Sequence, residues 1–425
     1  MQTVDLILAH VAQLVTCASH NQPKRGAQMR ELGLITDGAL VVHDGRIVAV
    51  GKTGDLLGAY HAEQVVDLSG RVVLPGLVDC HTHVPHAGHR YDEFELRLQG
   101  KSYLDILKAG GGILNTVRAT RSASADELRQ QAQKRLSTML RWGTTTAELK
   151  SGYGLSTEAE SKQLQTVFAL DRTMTLIPTF LGAHAKPEEF ASASDYLAYV
   201  LADSLPSVHA LYQASDFPQQ AIPMFVDIFV EEGTFTLEHM VAYFERAHQL
   251  GLPRKAHLDQ FHHGGAVPIA VEMGATSVDH LEVTPPSDLG ILARSETVGV
   301  MLPTVNLHLG NLHFANARHL VDADGILALA TDYNPGSSPV LSLPFVMALA
   351  CRVQRLLPSE ALNACTVNAA YALGLLDRVG SLEVGKQADM VVLNADDYRS
   401  LMVEMGHSQV EQVYLKGKPQ WNASF

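Results

Sequence analysis

Two histidines one residue apart close an apolar run in Leu74-Pro-Gly-Leu-Val-Asp-Cys-His-Thr-His83. In a strand, residues i and i+2 point to the same side. His81 and His83 therefore leave the end of a Leu77-Val78 strand together, and two imidazoles on one side are half of a metal site. Alone, a His-x-His is as readily a pair of solvated loop residues. Other apolar runs tilt the balance, because they too end in residues able to bind a metal. His257 ends one, in Arg254-Lys-Ala-His-Leu-Asp-Gln260, and Asp332 ends another, in Ala330-Thr-Asp-Tyr-Asn-Pro-Gly336. Three imidazoles and a carboxylate, with water in the remaining position, make an open catalytic site for one divalent zinc or iron ion. Such an ion lowers the pKa of bound water towards ~7 and supplies hydroxide at neutral pH. His280, in Val278-Asp-His-Leu-Glu282, could ligate the metal or hold the water by a hydrogen bond. The second role is preferred, over a structural histidine bonded to backbone.

Those residues need a scaffold that gathers strand ends. Strand and helix signals alternate through the middle of the chain, the pattern of a parallel α/β architecture. Eight strands are expected, at 77–81, 144–149, 175–181, 225–230, 254–258, 276–281, 299–302 and 326–330, with helices between them such as 125–142, 157–168, 237–249 and 343–356. Eight such units point to a (β/α)8 barrel, which does its chemistry at the C-terminal strand ends. The expected ends carry His81, His83, Lys150, His184, Glu231, Glu232, His257, His280 and Asp332. Both chain termini read instead as strands. Asp44-Gly45 is a strong hairpin signal, and Ser69-Gly70 and Lys416-Gly417 repeat it. A small β-sandwich from residues 1–75 and 382–425 is expected beside a barrel of 76–381.

The bulk numbers agree with an enzyme of this kind. The chain has 425 residues, 46% of them hydrophobic and 18% charged, a length that suits a large barrel plus a smaller unit. A net charge of −13 without a basic cluster argues against nucleic acid or an anionic membrane as partner. No window reaches the ~18 apolar residues of a membrane span. Cys17, Cys80, Cys351 and Cys365 are scattered, which fits a reducing cytoplasm. A small-molecule substrate is expected, with a homodimer left open. Ala109-Gly-Gly-Gly112 lacks the Lys-Ser/Thr context of a phosphate loop and reads as backbone packed near the mouth.

The whole chain resembles the imidazolonepropionase family of the amidohydrolase superfamily. The resemblance rests on Pro75–His83, Glu93–Tyr103, Ala109–Ile113, Thr116–Arg121, Thr144–Gly154, Thr179–His184, Thr331–Pro339 and Thr366–Ala372. The Ser151-Gly-Tyr-Gly154 and Leu96–Tyr103 stretches are the most particular to that family. It implies hydrolysis of 4-imidazolone-5-propanoate to N-formimidoyl-glutamate in histidine breakdown. It further implies a single metal on His81, His83, His257 and Asp332, and substrate contacts at Arg90, Tyr103, Tyr153, His184 and Asn334, with Gly336 and Ser337 in the same motif. A substrate carboxylate suits a guanidinium and tyrosine hydroxyls, which grip it by charge-assisted hydrogen bonds. Lys150 could carry a carbamate bridging two metals, but an ordinary strand-end lysine is the simpler reading.

The chain departs from the family pattern in three places. Gln260 stands where many members have Glu. Pro85-His-Ala-Gly-His89 adds His86 and His89, both read as solvated. Leu302–Gly310 replaces a Leu-Pro-Gly-x-x-aromatic segment beside the substrate. A glutamine can bond a ring but cannot carry protons, so Asp332 is the expected acid–base group, with His280 orienting water. A deaminase of a nucleobase-like ring is the alternative enzyme, and Gln260 counts against it. A non-catalytic barrel used for binding is the third reading, and four intact ligand positions count against that.

Overall fold

The computed structural model describes residues 2–101, 105–106 and 110–423. It contains two eight-stranded sheets. The first is built from both ends of the chain: β1 (Gln2–Val15), β2 (Leu34–His43), β3 (Arg46–Lys52), β4 (Tyr60–Asp67), β5 (Val72–Pro75), and, far along the sequence, β14 (Met390–Leu393), β15 (Val410–Leu415) and β16 (Lys418–Asn422). The second holds β6 (Leu77–Asp79), β7 (Thr144–Lys150), β8 (Thr175–Ala183), β9 (Phe225–Val230), β10 (Arg254–Leu258), β11 (Ser277–His280), β12 (Val298–Met301) and β13 (Leu327–Leu329).

In the terminal sheet the Asp44-Gly45 and Lys416-Gly417 turns join antiparallel pairs, as expected. Ser69-Gly70 does not. β4 and β5 both run parallel to β1 and lie end to end along it. The reason is a bulge in β1 between Leu8 and Val11, where His10 takes φ 57°. A bulge bends its strand, and here β1 exchanges β4 for β5 as a neighbour beyond it. Period-two alternation then sorts the side chains. Val73, Met390 and Val392 face the sandwich interior with Leu6, Leu8 and Leu40. Val72, Leu74, Val391 and Leu393 face the other way and join the core of the barrel.

All neighbouring strands of the second sheet pair in parallel, from β6 round to β13. Side chains and backbone beyond the strands close the seam. Thr331 donates to Asp79 through its N–H (3.1 Å) and hydroxyl (2.7 Å). Asp332 N–H donates to His81 O (3.0 Å), and His83 N–H to Tyr333 O (2.9 Å). The seam therefore ties two expected ligands on β6 to a third beyond β13. Helices cover the outside. Those at Thr157–Phe168 and Leu237–Gln249 have the expected bounds, started by Ser156 and Thr236, whose hydroxyls accept N–H bonds in the first turn. No helix among the described residues is long and apolar enough to cross a membrane.

Candidate active site

The parallel strands alternate outward apolar with inward polar residues at the mouth end. Ala147 and Leu149 pack into an apolar cluster outside β7, while Glu148 and Lys150 between them point inward and are fully buried. β10 sends Lys255 and His257 inward, β9 sends Asp227, and β11 sends Asp279. The floor of the mouth is thus charged and dry.

On this floor the expected ligands converge. His81 Nε2 lies 3.3 Å and His83 Nε2 3.2 Å from Asp332 Oδ1, and His257 Nε2 is 3.5 Å from His83 Nε2. The opposite nitrogens of two of these rings are engaged: His81 Nδ1 meets Asp279 Oδ2 at 2.6 Å, and His257 Nδ1 meets Asp227 Oδ1 at 3.0 Å. A carboxylate accepts, so each Nδ1 carries the proton and each Nε2 presents a lone pair. The His81 lone pair faces the Asp332 carboxylate oxygen, and both atoms are buried without a hydrogen bond among the described residues. Buried acceptors facing one another repel unless a cation lies between them. The donor set therefore fits a divalent metal. Charge state agrees: burial, Lys150 and His257 pull His81 down to about 4, so the ring is neutral, as a ligand must be.

His280 sits at the same point, its ligand-capable nitrogen within 4.8 Å of those of His81 and Asp332. Glu282 Oε2 lies 3.5 Å behind its Nδ1. Burial opposes a charge on His280, but Glu282 and Asp332 raise its pKa. His280 (φ 86°), Leu281 (φ 70°) and Asp332 (φ 48°) all hold left-handed backbone. Such strain in non-glycine residues clusters at functional sites.

Above the floor lies a cavity of about 870 Å³, lined in part by Arg90, Tyr153, His184, Gln260, Asn334, Gly336 and Ser337. Arg90 is held by Thr116 through Nε (2.9 Å), and its guanidinium fills the space a side chain at Gly336 would need. His184 Nδ1 lies 3.0 Å from Gly152 O and must donate to it, leaving Nε2 as an acceptor. The Asn334 amide is spent on its own loop. Its oxygen accepts from Gly336 and Ser337 N–H, and its nitrogen donates to Asp332 O. Tyr103 lies outside the described residues. Glu231, at the end of β9, accepts from the Phe261 and His262 N–H groups and so anchors the loop that follows Gln260.

Two readings are corrected here. Lys150 is not an ordinary strand-end lysine: it is fully buried, with Nζ 2.6 Å from Asp227, 3.1 Å from Glu148 and 3.8 Å from Asp279. Ammonium character is enforced by those carboxylates, which rules out a carbamate. His86 is buried rather than solvated, its Nδ1 2.7 Å from His83 O, because the loop folds back under the helix carrying Arg135, which donates to Val84 O and His86 O. His89 is exposed, as expected. The bracing residues Glu148, Asp227, Lys255 and Asp279 were missed. Their signal was present: buried parallel strands normally read as continuous apolar runs, whereas Thr144–Lys150, Phe225–Val230, Arg254–Leu258 and Ser277–His280 are interrupted by Glu148, Asp227, Lys255 and Asp279.

Fold and site together define an amidohydrolase, a hydrolase built on a (β/α)8 barrel with a terminal β-sandwich. A model of the amidohydrolase family matches residues 229–419, and one of the imidazolonepropionase-like composite domain of bacteria matches residues 38–62. The chain is 51% identical to an imidazolonepropionase of Chloroflexus aggregans, over 98% of this chain and 99% of that protein. It is 45% identical to one of Herpetosiphon aurantiacus, over 98% and 97%. The chain belongs to the imidazolonepropionase family. Among solved structures it superposes on an adenosine deaminase from Xanthomonas campestris with bound zinc, with a TM-score of 0.72 at 21% identity and coverage of 99% and 93%. E. coli guanine deaminase gives a TM-score of 0.74 at 16% identity, with coverage of 98% and 99%. These two likenesses concern the fold.

Proposed function

We propose that the mouth hydrolyses the ring amide of 4-imidazolone-5-propanoate to N-formimidoyl-L-glutamate, with His81, His83, His257 and Asp332 holding one divalent metal, zinc or iron. Such an ion, when bound, supplies a Lewis acid and hydroxide at neutral pH. Asp332 takes the proton from the attacking water and returns one to the leaving ring nitrogen, a role that suits a buried carboxylate set among the proposed ligand histidines. His280 donates to the carbonyl oxygen as charge develops there. Glu282, 3.5 Å behind it, favours the protonated ring. Arg90 binds the propanoate carboxylate, with Tyr103 and Tyr153 as hydroxyl donors. His184 accepts the ring N–H through Nε2, and Gln260 bonds the ring without moving a proton. Asn334 shapes the loop that brings Gly336 and Ser337 against the substrate.

The observation that carries this reading is the cluster of His81, His83 and His257 ring nitrogens, with the Asp332 carboxylate against His81 and His83 and His280 adjacent. Product analysis tests it. Ring opening consumes the imidazolone and yields formimidoyl-glutamate without ammonia. Ammonia release would instead identify a deaminase. We take 1–75 with 382–425 and 76–381 as the two units, supported by the break between β5 and β6. A cytoplasmic location is supported by four unpaired cysteines.

A further inference from the structure

Behind the ligand histidines stand Asp279, on His81, and Asp227, on His257. These two carboxylates come from different strands, yet one ammonium serves both. Lys150 Nζ is 2.6 Å from Asp227 Oδ2 and 3.8 Å from Asp279 Oδ2. The Asp279 oxygen it approaches is the one that meets His81 Nδ1. We propose that Lys150 is a positioning residue for the metal, tying the carboxylates that orient His81 and His257 into one brace so that both Nε2 atoms are presented together. The inference rests on the proposed metal site.

The charge pattern favours this over a purely structural role. Two buried lysines, Lys150 and Lys255, face three buried carboxylates, Glu148, Asp227 and Asp279. Lys255 Nζ lies 2.8 Å from Glu148 and 2.8 Å from Cys80 O, and its charge also acts on Asp279. Glu148 bonds both lysines and the Thr179 hydroxyl. The described geometry gives it no bond to a ligand histidine. Lys150 alone is close to both orienting carboxylates. Without its charge they would repel, and each would turn away carrying its imidazole.

Zinc affinity tests the proposal, measured with Zn²⁺ alone against a chromophoric chelator. Losing an outer partner of a metal ligand typically costs 10- to 100-fold in affinity, and Lys150→Met should fall by that order. Removing a buried ammonium threatens the fold, so the decisive variant is Lys150→Met/Glu148→Gln. It leaves one ammonium against two carboxylates, the same imbalance of one charge as before, and removes the brace together with the Glu148 bonds to Lys255 and Thr179, whose loss the single Glu148→Gln variant reads separately. It should keep the wild-type circular dichroism, bind Zn²⁺ 10- to 100-fold more weakly, and shift the visible absorption of the Co²⁺ form. Glu148→Gln alone should bind Zn²⁺ within about twofold of wild type. A folded double variant with wild-type Zn²⁺ affinity and an unshifted Co²⁺ spectrum overturns the brace and leaves the metal site standing. A wild-type protein that binds no Zn²⁺, Co²⁺ or iron overturns both.

Discussion

The terminal sheet and the barrel have the same number of strands and opposite interiors. The sandwich buries Leu6, Leu8, Val11, Leu14, Leu40, Val42, Met390 and Val392, side chains whose only demand is removal from water. The barrel mouth buries Glu148, Lys150, Asp227, Lys255, Asp279 and the histidines proposed as ligands, groups that cost free energy to bury unless each finds a partner. One region stores stability. The other spends it on holding lone pairs and charges in a fixed arrangement, which catalysis requires. Substitutions in the two regions should therefore separate into stability effects and activity effects.

The largest effects belong to the mouth. Elemental analysis should find about one ion per chain in wild type, and His81→Ala, His83→Ala and His257→Ala should each lose most of it. Asp332→Asn and His280→Ala should lower kcat by at least about 10²-fold, the size of a lost acid–base group. Near-normal turnover in Asp332→Asn with metal bound would remove it from the proton path.

Leu8→Ala comes next and tests the other region. Leu8 is fully buried in the sandwich, and leucine truncation in a core costs about 2–5 kcal/mol. Its urea midpoint should drop by a corresponding amount, while kcat per folded molecule stays at the wild-type level. A reduced kcat in the folded variant would mean that the sandwich shapes the mouth through the shared core, and the division would blur.

The cavity rim should give intermediate effects. Arg90→Ala removes a charge-assisted bond, about 1.5–3 kcal/mol, so kcat/KM should fall roughly 10- to 100-fold with metal content unchanged. Unaltered kinetics would move the carboxylate pocket elsewhere. Gln260→Ala should raise KM more than it lowers kcat, and Gln260→Glu should stay active. A kcat loss in Gln260→Ala matching that of Asp332→Asn would give Gln260 a part in the chemistry.

The smallest effect lies where the terminal strands meet the barrel. Burial pushes the Glu383 carboxyl up, but bonds from Ser381, the Ser19 and His20 N–H groups, and Lys386 win and hold it at about 2, below its ordinary 4.5. A carboxyl depressed in the folded state contributes stability that is present above pH 4.5 and lost as pH falls towards 2. Urea titrations across that window should show wild type losing stability more steeply than Glu383→Gln. Parallel curves would show that these bonds are not made in solution.

How far the sequence reached depended on whether a pattern was local. His-x-His at a strand end and the Asp44-Gly45 turn are set by neighbours along the chain, and they were readable. So was the barrel, because each strand carries its own apolar run, and the four proposed ligands stand at three of the strand ends. The pairing of β4 and β5 with β1 was not, since a hairpin signal at Ser69-Gly70 states only that the chain turns. The bulge near His10 decided which strand lay alongside. Lys150 read as ordinary because nothing within seven residues of it names Asp227 or Asp279. Those partners are 77 and 129 residues away, and only the closing of parallel strands into a barrel brings three such inward positions within a few ångströms. The sequence by itself determined which residue types stand at the strand ends, and with them the class of chemistry. Tertiary structure decided which charges share a partner, because electrostatic energy depends on distance through space and is indifferent to separation along the chain.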